Sequence, residues 1–229
     1  MIQSDRNQNE IKYDWIKNVA NISDDNTFIE FNTTFNQIIS PSSLPDKLTT
    51  LIFGYYFNQI IEPNTLPENL ASLTFGYCFN KIIEPNILPK NLSSLTFKAS
   101  FTQNIISVPC CLPKNLKYLK FGRVFDQLIE PNSLPKKLLT LEFGYKFNQK
   151  IEPNSLPENL TTLEFGYKFN QKIEPNSLPI NLATLIFRGK FNQNIDPDSL
   201  PNNLITLIFG HKFNQKIELN SLPENGSKW

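Results

Sequence analysis

Apolar and polar positions follow a fixed order along the chain, and that order repeats. From Leu160 the unit runs Leu160-Thr-Thr-Leu163-Glu-Phe165-Gly166, then Tyr167-Lys-Phe169-Asn-Gln-Lys-Ile173-Glu-Pro175. Leu163 and Phe165 alternate with Thr162 and Glu164, the period of a strand with one buried face. Phe169, Gln171 and Ile173 alternate in the same way and predict a second short strand. Gly166 sits between the two, where positive φ or a bulge lets the chain turn a corner. Pro175 and Pro179 then fix two φ angles and remove two donors, which suits an extended connection and leaves no room for a helix.

The same unit is read nine times. Its second Phe stands at Phe35, Phe57, Phe79, Phe101, Phe125, Phe147, Phe169, Phe191 and Phe213, a step of 22 residues except for 24 between Phe101 and Phe125. A period of this length predicts a solenoid in which each coil buries its apolar face against the next. Coils stacked at the usual strand separation of about 4.8 Å would make a rod roughly 40 Å long. Stacked Asn and Gln columns, such as Asn148, Asn170 and Asn192, are expected to hydrogen-bond from coil to coil.

Composition now explains itself. Of 19 Phe, all but Phe28 lie in two columns four residues apart, and all 17 Pro lie in two others. The excess is architectural. The remaining chemistry is sparse: one His, three Cys and a net charge of +1. That balance argues against a nucleic-acid binder. No apolar run approaches the roughly 18 residues of a membrane span, and the polar N-terminus has no apolar signal core. The sequence therefore predicts an intracellular, cytoplasmic protein with reduced thiols. Cys110 and Cys111 are adjacent and lack metal or redox spacing. No catalytic motif accompanies His211. We expect no enzyme activity, no cofactor and no metal site.

The repeat unit resembles the FNIP repeat, whose F-N-x-x-I-x-P core stands here as Phe57-Asn58, Ile61 and Pro63, as Phe147-Asn148, Ile151 and Pro153, and as Phe169-Asn170, Ile173 and Pro175. Family members are relatives of leucine-rich repeats found in social amoebae and in giant viruses of amoebae, often behind an F-box. The resemblance implies a mostly β, leucine-rich-repeat-like solenoid that serves as a protein-interaction module, in substrate recognition or host interaction. For a viral chain the compartment would be the host cytoplasm. Only about 28 residues precede the repeats, too few for a full F-box of the family.

These readings give a division into an N-terminal cap, residues 1–28, and a solenoid, residues 29–229. Ile11, Trp15, Ile16 and Val19 recur at helical spacing and predict a capping helix near residues 9–20. The two extra residues near Val108 predict a surface loop, and only Trp229 is left to shield the last coil. The chain is expected to be a monomer or to self-associate weakly through that end, the alternative role being structural assembly. A Thr/Ser column is broken at Tyr118, which argues against a surface-binding ladder.

Charge distinguishes the two ends. Glu62, Glu84, Glu130, Glu152, Glu174, Asp196 and Glu218 form an acidic column, which Lys150, Lys172 and Lys216 are expected to offset. A second Lys column, Lys146, Lys168, Lys190 and Lys212, exists only in the later coils; Tyr56, Cys78, Ser100 and Val124 hold the earlier positions. With Tyr145, Tyr167 and His211 these lysines form the candidate partner-binding surface, a basic patch suited to an acidic protein.

Overall fold

The computed structural model describes residues 13–105, 111–218 and 221–223. It contains a one-turn helix α1 (Asp14–Lys17) and ten strands. The first is β1 (Ala20–Ile22). One strand per coil follows: β2 (Phe28–Phe31), β3 (Thr50–Ile52), β4 (Ser72–Phe75), β5 (Ser94–Phe97), β6 (Tyr118–Lys120), β7 (Thr140–Glu142), β8 (Thr162–Phe165), β9 (Thr184–Phe187) and β10 (Thr206–Ile208). They form a single sheet in chain order, β2 to β10 all parallel. The solenoid is mostly β and leucine-rich-repeat-like, with nine parallel strands among the described residues.

Register is strict because each strand buries alternate residues. Leu51, Leu73, Leu95 and Leu119 pair as neighbours, and all are fully buried. Within a coil the inward set is two Leu, two Phe, an Ile and the Leu of the Leu-Pro turn, for example Leu160, Leu163, Phe165, Phe169, Ile173 and Leu178. No coil could desolvate these alone; stacked, they form one continuous core. The 24-residue step changes nothing in the sheet, since Ser94 pairs with Tyr118 and Leu95 with Leu119. The loop expected near Val108 lies outside the described residues, as does Trp229.

Three expectations need correction. The segment beginning Phe169-Asn170 is not a strand. The Asn N–H near its start finds a side chain instead: Asn170 N–H donates to Asn148 Oδ1 at 2.8 Å, and one coil on Asn192 N–H donates to Asn170 Oδ1 at 2.8 Å. The Asn column thus supplies the acceptor that a strand partner's carbonyl would give, and each coil has one strand. The corner glycine is needed for space rather than for φ. A Cβ on Gly166 would lie 1.8 Å from the Gly144 carbonyl oxygen of the preceding coil. Finally, helix covers only Asp14–Lys17 of the described cap, residues 9–12 lying outside them. Ala20–Ile22 instead pairs antiparallel with β2 and closes the sheet edge. Ile16 is fully buried, and Trp15 stacks over Phe31 at 6.2 Å.

Candidate functional site

Between each strand and the following Asn segment lies a three-residue corner, Gly144-Tyr145-Lys146 in one coil and Gly166-Tyr167-Lys168 in the next. The corners are hydrogen-bonded to one another. Lys146 N–H donates to the Arg123 carbonyl, Lys168 N–H to that of Tyr145 and Lys190 N–H to that of Tyr167, at 2.8–2.9 Å. Equivalent side chains therefore stand in register along one edge of the solenoid.

All seven sequence-predicted residues meet on this edge. Tyr145 and Tyr167 stack with centroids 5.0 Å apart and planes 1° apart. The Arg123 guanidinium lies 4.9 Å from the Tyr145 centroid. Gly189 holds the next Tyr position in left-handed backbone (φ 67°), and a Cβ there would strike the Tyr167 ring at 2.3 Å. That gap brings the Tyr167 ring within 5.9 Å of His211. Arg123, Tyr145, Tyr167 and His211 make one stack, with the exposed Lys146, Lys168, Lys190 and Lys212 beside it. A second stack, Tyr56, Tyr55 and Tyr77, is closed by Lys98 at 5.7 Å.

The edge is electrostatically one-sided. Its three corner columns hold Lys98, Arg123, Lys146, Lys168, Arg188, Lys190 and Lys212, and no carboxylate. Arg188 pairs with Glu164 on the sheet face. None of the four ladder lysines forms a salt bridge among the described residues. The other Lys column behaves differently: Lys150 pairs with Glu152 at 3.3 Å, Lys172 with Asp196 at 2.6 Å and Lys216 with Glu218 at 3.0 Å. The acidic column is offset there, as expected. The hydrogen bond and charge of Asp196 hold the Lys172 ammonium above its ordinary pKa.

Sequence reasoning missed a polar network on the exposed side of the sheet. Tyr118 donates to Glu142 at 2.7 Å, Lys120 meets the other Glu142 oxygen at 2.6 Å, and Arg188 binds Glu164. Burial and then the Glu142 carboxylate push the Tyr118 phenol well up. Burial alone would raise Glu142, but the hydrogen bonds from Lys120 and Tyr118 outweigh it and hold the carboxyl below its ordinary value. The signal was present: Lys120, Glu142 and Glu164 stand on successive coils in a column that reads Ile52, Thr74 and Thr96 before them and Ile186 and Ile208 after, with Glu30 at its start.

Nothing in this arrangement assembles reactive groups. Among the described residues no cluster of three His, Cys, Asp or Glu side chains could hold a metal ion. No described helix is long and apolar enough to cross a membrane. A shallow open hollow beside Asn176, Leu178 and Asp198 gathers only turn residues. What the site offers is surface.

The comparisons agree with the architecture. No protein of curated function matches the chain significantly. A crystal structure described as CroV588, a novel circular leucine-rich-repeat protein from a giant virus, matches with a TM-score of 0.84 and 50% identity over 88% of this chain. The match takes in 29% of that protein, so this chain spans less than a third of its length. The FNIP Repeat model matches residues 22–56, 57–100, 101–146, 147–190 and 191–225, nearly the whole sequence. The chain belongs to the FNIP repeat family.

Proposed function

We propose that this protein is a non-catalytic interaction module of the cytoplasm whose basic corner, Tyr145, Lys146, Tyr167, Lys168, Lys190, His211 and Lys212, takes an acidic protein partner. The lysine ladder carries the reading. Like charges repeated at strand spacing repel, and among the described residues no carboxylate pairs with them. An array of this kind lowers its energy when a partner brings the missing charge. The family and the leucine-rich-repeat-like fold are typical of interaction modules.

Nucleic acid fits this edge less well. Base binding on a sequence-tolerant surface needs free aromatic faces. The facing sides of Tyr145 and Tyr167 are spent on each other, the outer face of Tyr145 on Arg123, and Tyr167 contacts His211. An acidic peptide needs only the ammonium groups.

A fluorescein-labelled 20-residue Glu-rich peptide tests the reading. It should bind at low salt, weaken as salt rises, and lose at least tenfold in affinity against Lys168→Glu/Lys190→Glu. Equal affinity for wild type and the charge-reversed variant would overturn it.

A further inference from the structure

The ring column at the corner has one place with no side chain. On four successive coils it reads Tyr145, Tyr167, Gly189 and His211. The backbone keeps its step across that place: Lys190 N–H donates to the Tyr167 carbonyl at 2.8 Å and Lys212 N–H to the Gly189 carbonyl at 3.3 Å. Adjacent rings of the column stand 4.8–5.0 Å apart, so rings two coils apart are due at about 10 Å. Tyr167 and His211 stand at 5.9 Å instead. Their side chains have leaned together over Gly189.

This joint is the loosest in the stack. Tyr145 and Tyr167 are parallel within 1°, whereas the Tyr167 and His211 planes differ by 39°, neither stacked nor edge-to-face. His211 is exposed, and exposed side chains change rotamer within picoseconds to nanoseconds. The joint parts when His211 swings back over its own coil. A third ring placed midway then lies about 5 Å from each neighbour, the spacing the Tyr pairs already adopt. The column's other interruption, Ala99, differs, because Lys98 covers the Tyr77 ring there at 5.7 Å.

The charges around the joint decide what carries that ring. Lys168, Lys190 and Lys212 stand beside it on the same three coils, exposed and without a salt bridge among the described residues. A neutral aromatic ligand would leave three ammonium groups uncompensated. A ring set in a run of carboxylates compensates them.

We infer that the Tyr167–His211 joint opens over Gly189 to take one aromatic side chain of the partner, from an acidic segment whose carboxylates meet Lys168, Lys190 and Lys212. This names the anchor of the acidic-partner reading above and rests on it. Interfaces concentrate their binding energy in aromatic anchors of this kind.

The Glu-rich peptide described above, made with a central Trp and with a central Ala, tests it against the full chain. The Trp peptide should bind about fivefold tighter. In Gly189→Ala, whose Cβ would lie 2.3 Å from the Tyr167 ring, the two peptides should bind alike. Tyr167→Ala should equalise them too, and the fold already carries Ala in this column at Ala99. Tyr145→Ala, one coil from the joint, should keep the Trp peptide's lead. The chain's single His gives an independent readout: its imidazole C–H resonances should shift further with the Trp peptide than with the Ala peptide. If both peptides bind equally and salt weakens both, the joint stays closed; this inference fails and the acidic-partner reading stands. If neither binds, both fail. A Trp advantage that survives in Tyr167→Ala places the ring elsewhere and overturns the inference. So does an oligothymidylate that binds more tightly than the Trp peptide and loses that advantage in Gly189→Ala.

Discussion

At the residue scale one side chain often does a job usually given to the backbone. Asn170 Oδ1 receives the Asn192 N–H as a strand carbonyl would. The column tolerates Asp: Asp126 accepts from the Asn148 N–H at 2.8 Å. Asn170→Asp should therefore change stability by less than about 0.5 kcal/mol, whereas Asn170→Ala leaves a donor unmet and should cost about 1–3 kcal/mol, measured by urea denaturation. Phe147 is fully buried between Phe125 and Phe169, at 6.4 and 6.1 Å. Phe147→Ala should cost about 3–5 kcal/mol; a loss under about 1 kcal/mol would mean the column is not core. Both columns were legible in the sequence because periodicity reports burial. The Asn bonding mode was not, because alternation looks the same whether backbone or side chain supplies the acceptor. That ambiguity is why Phe169–Ile173 reads as a strand and folds without one.

At the element scale the corner and the sheet face obey different constraints. A Cβ at position 166 would meet a backbone carbonyl, which cannot rotate away. Gly166→Ala should cost about 3 kcal/mol and loosen the Tyr145–Tyr167 stack, seen as lost near-ultraviolet dichroism. Composition suggested a conformational role for this glycine, since close approach between coils is invisible in a single repeat. The lysine edge was legible because substitutions within a column stand out; the Glu142 network escaped because its members lie on four coils. That network makes stability depend on pH. Glu142 is held below its ordinary value, so its contribution is present above the usual Glu range and is lost as pH falls through the lowered folded value. The stability difference between wild type and Glu142→Gln should therefore shrink between pH 7 and about 3. Tyr118 shifts the other way: its contribution is full below the ordinary Tyr pKa of about 10 and fades above it. Tyr118→Phe should abolish that alkaline component and, by removing one of the hydrogen bonds that hold Glu142 down, shrink the acid one as well.

At the scale of the whole molecule the stacking distances decide between a straight rod and an arc. Equivalent side chains in successive coils are separated by the local coil spacing, so ring centroids measure it at each depth. The Tyr rings beside the sheet give 4.8–5.0 Å, the first Phe column 5.3–5.9 Å and the second Phe column 6.0–6.4 Å. The spacing grows steadily away from the sheet. The solenoid must therefore curve, with the sheet on its inner side, and the straight rod of roughly 40 Å suggested by strand separation alone describes only the inner edge. The bend is measurable. Spin labels at positions 50 and 206, on the sheet face, and at positions 60 and 216, in the column four residues past the corner, both span seven coil steps. In a straight rod the two distances agree. In the arc the sheet-face pair should lie near 34 Å, seven spacings of about 4.8 Å. The outer pair should be longer by about a quarter, because both chords subtend the same angle and its local spacing is at least 6.0 Å against about 4.8 Å. Electron–electron resonance on the two doubly labelled proteins, with the native cysteines replaced, should resolve that difference of about 8 Å. Equal distances would show that the widening belongs to the Phe rings alone and that the coils stack without a wedge.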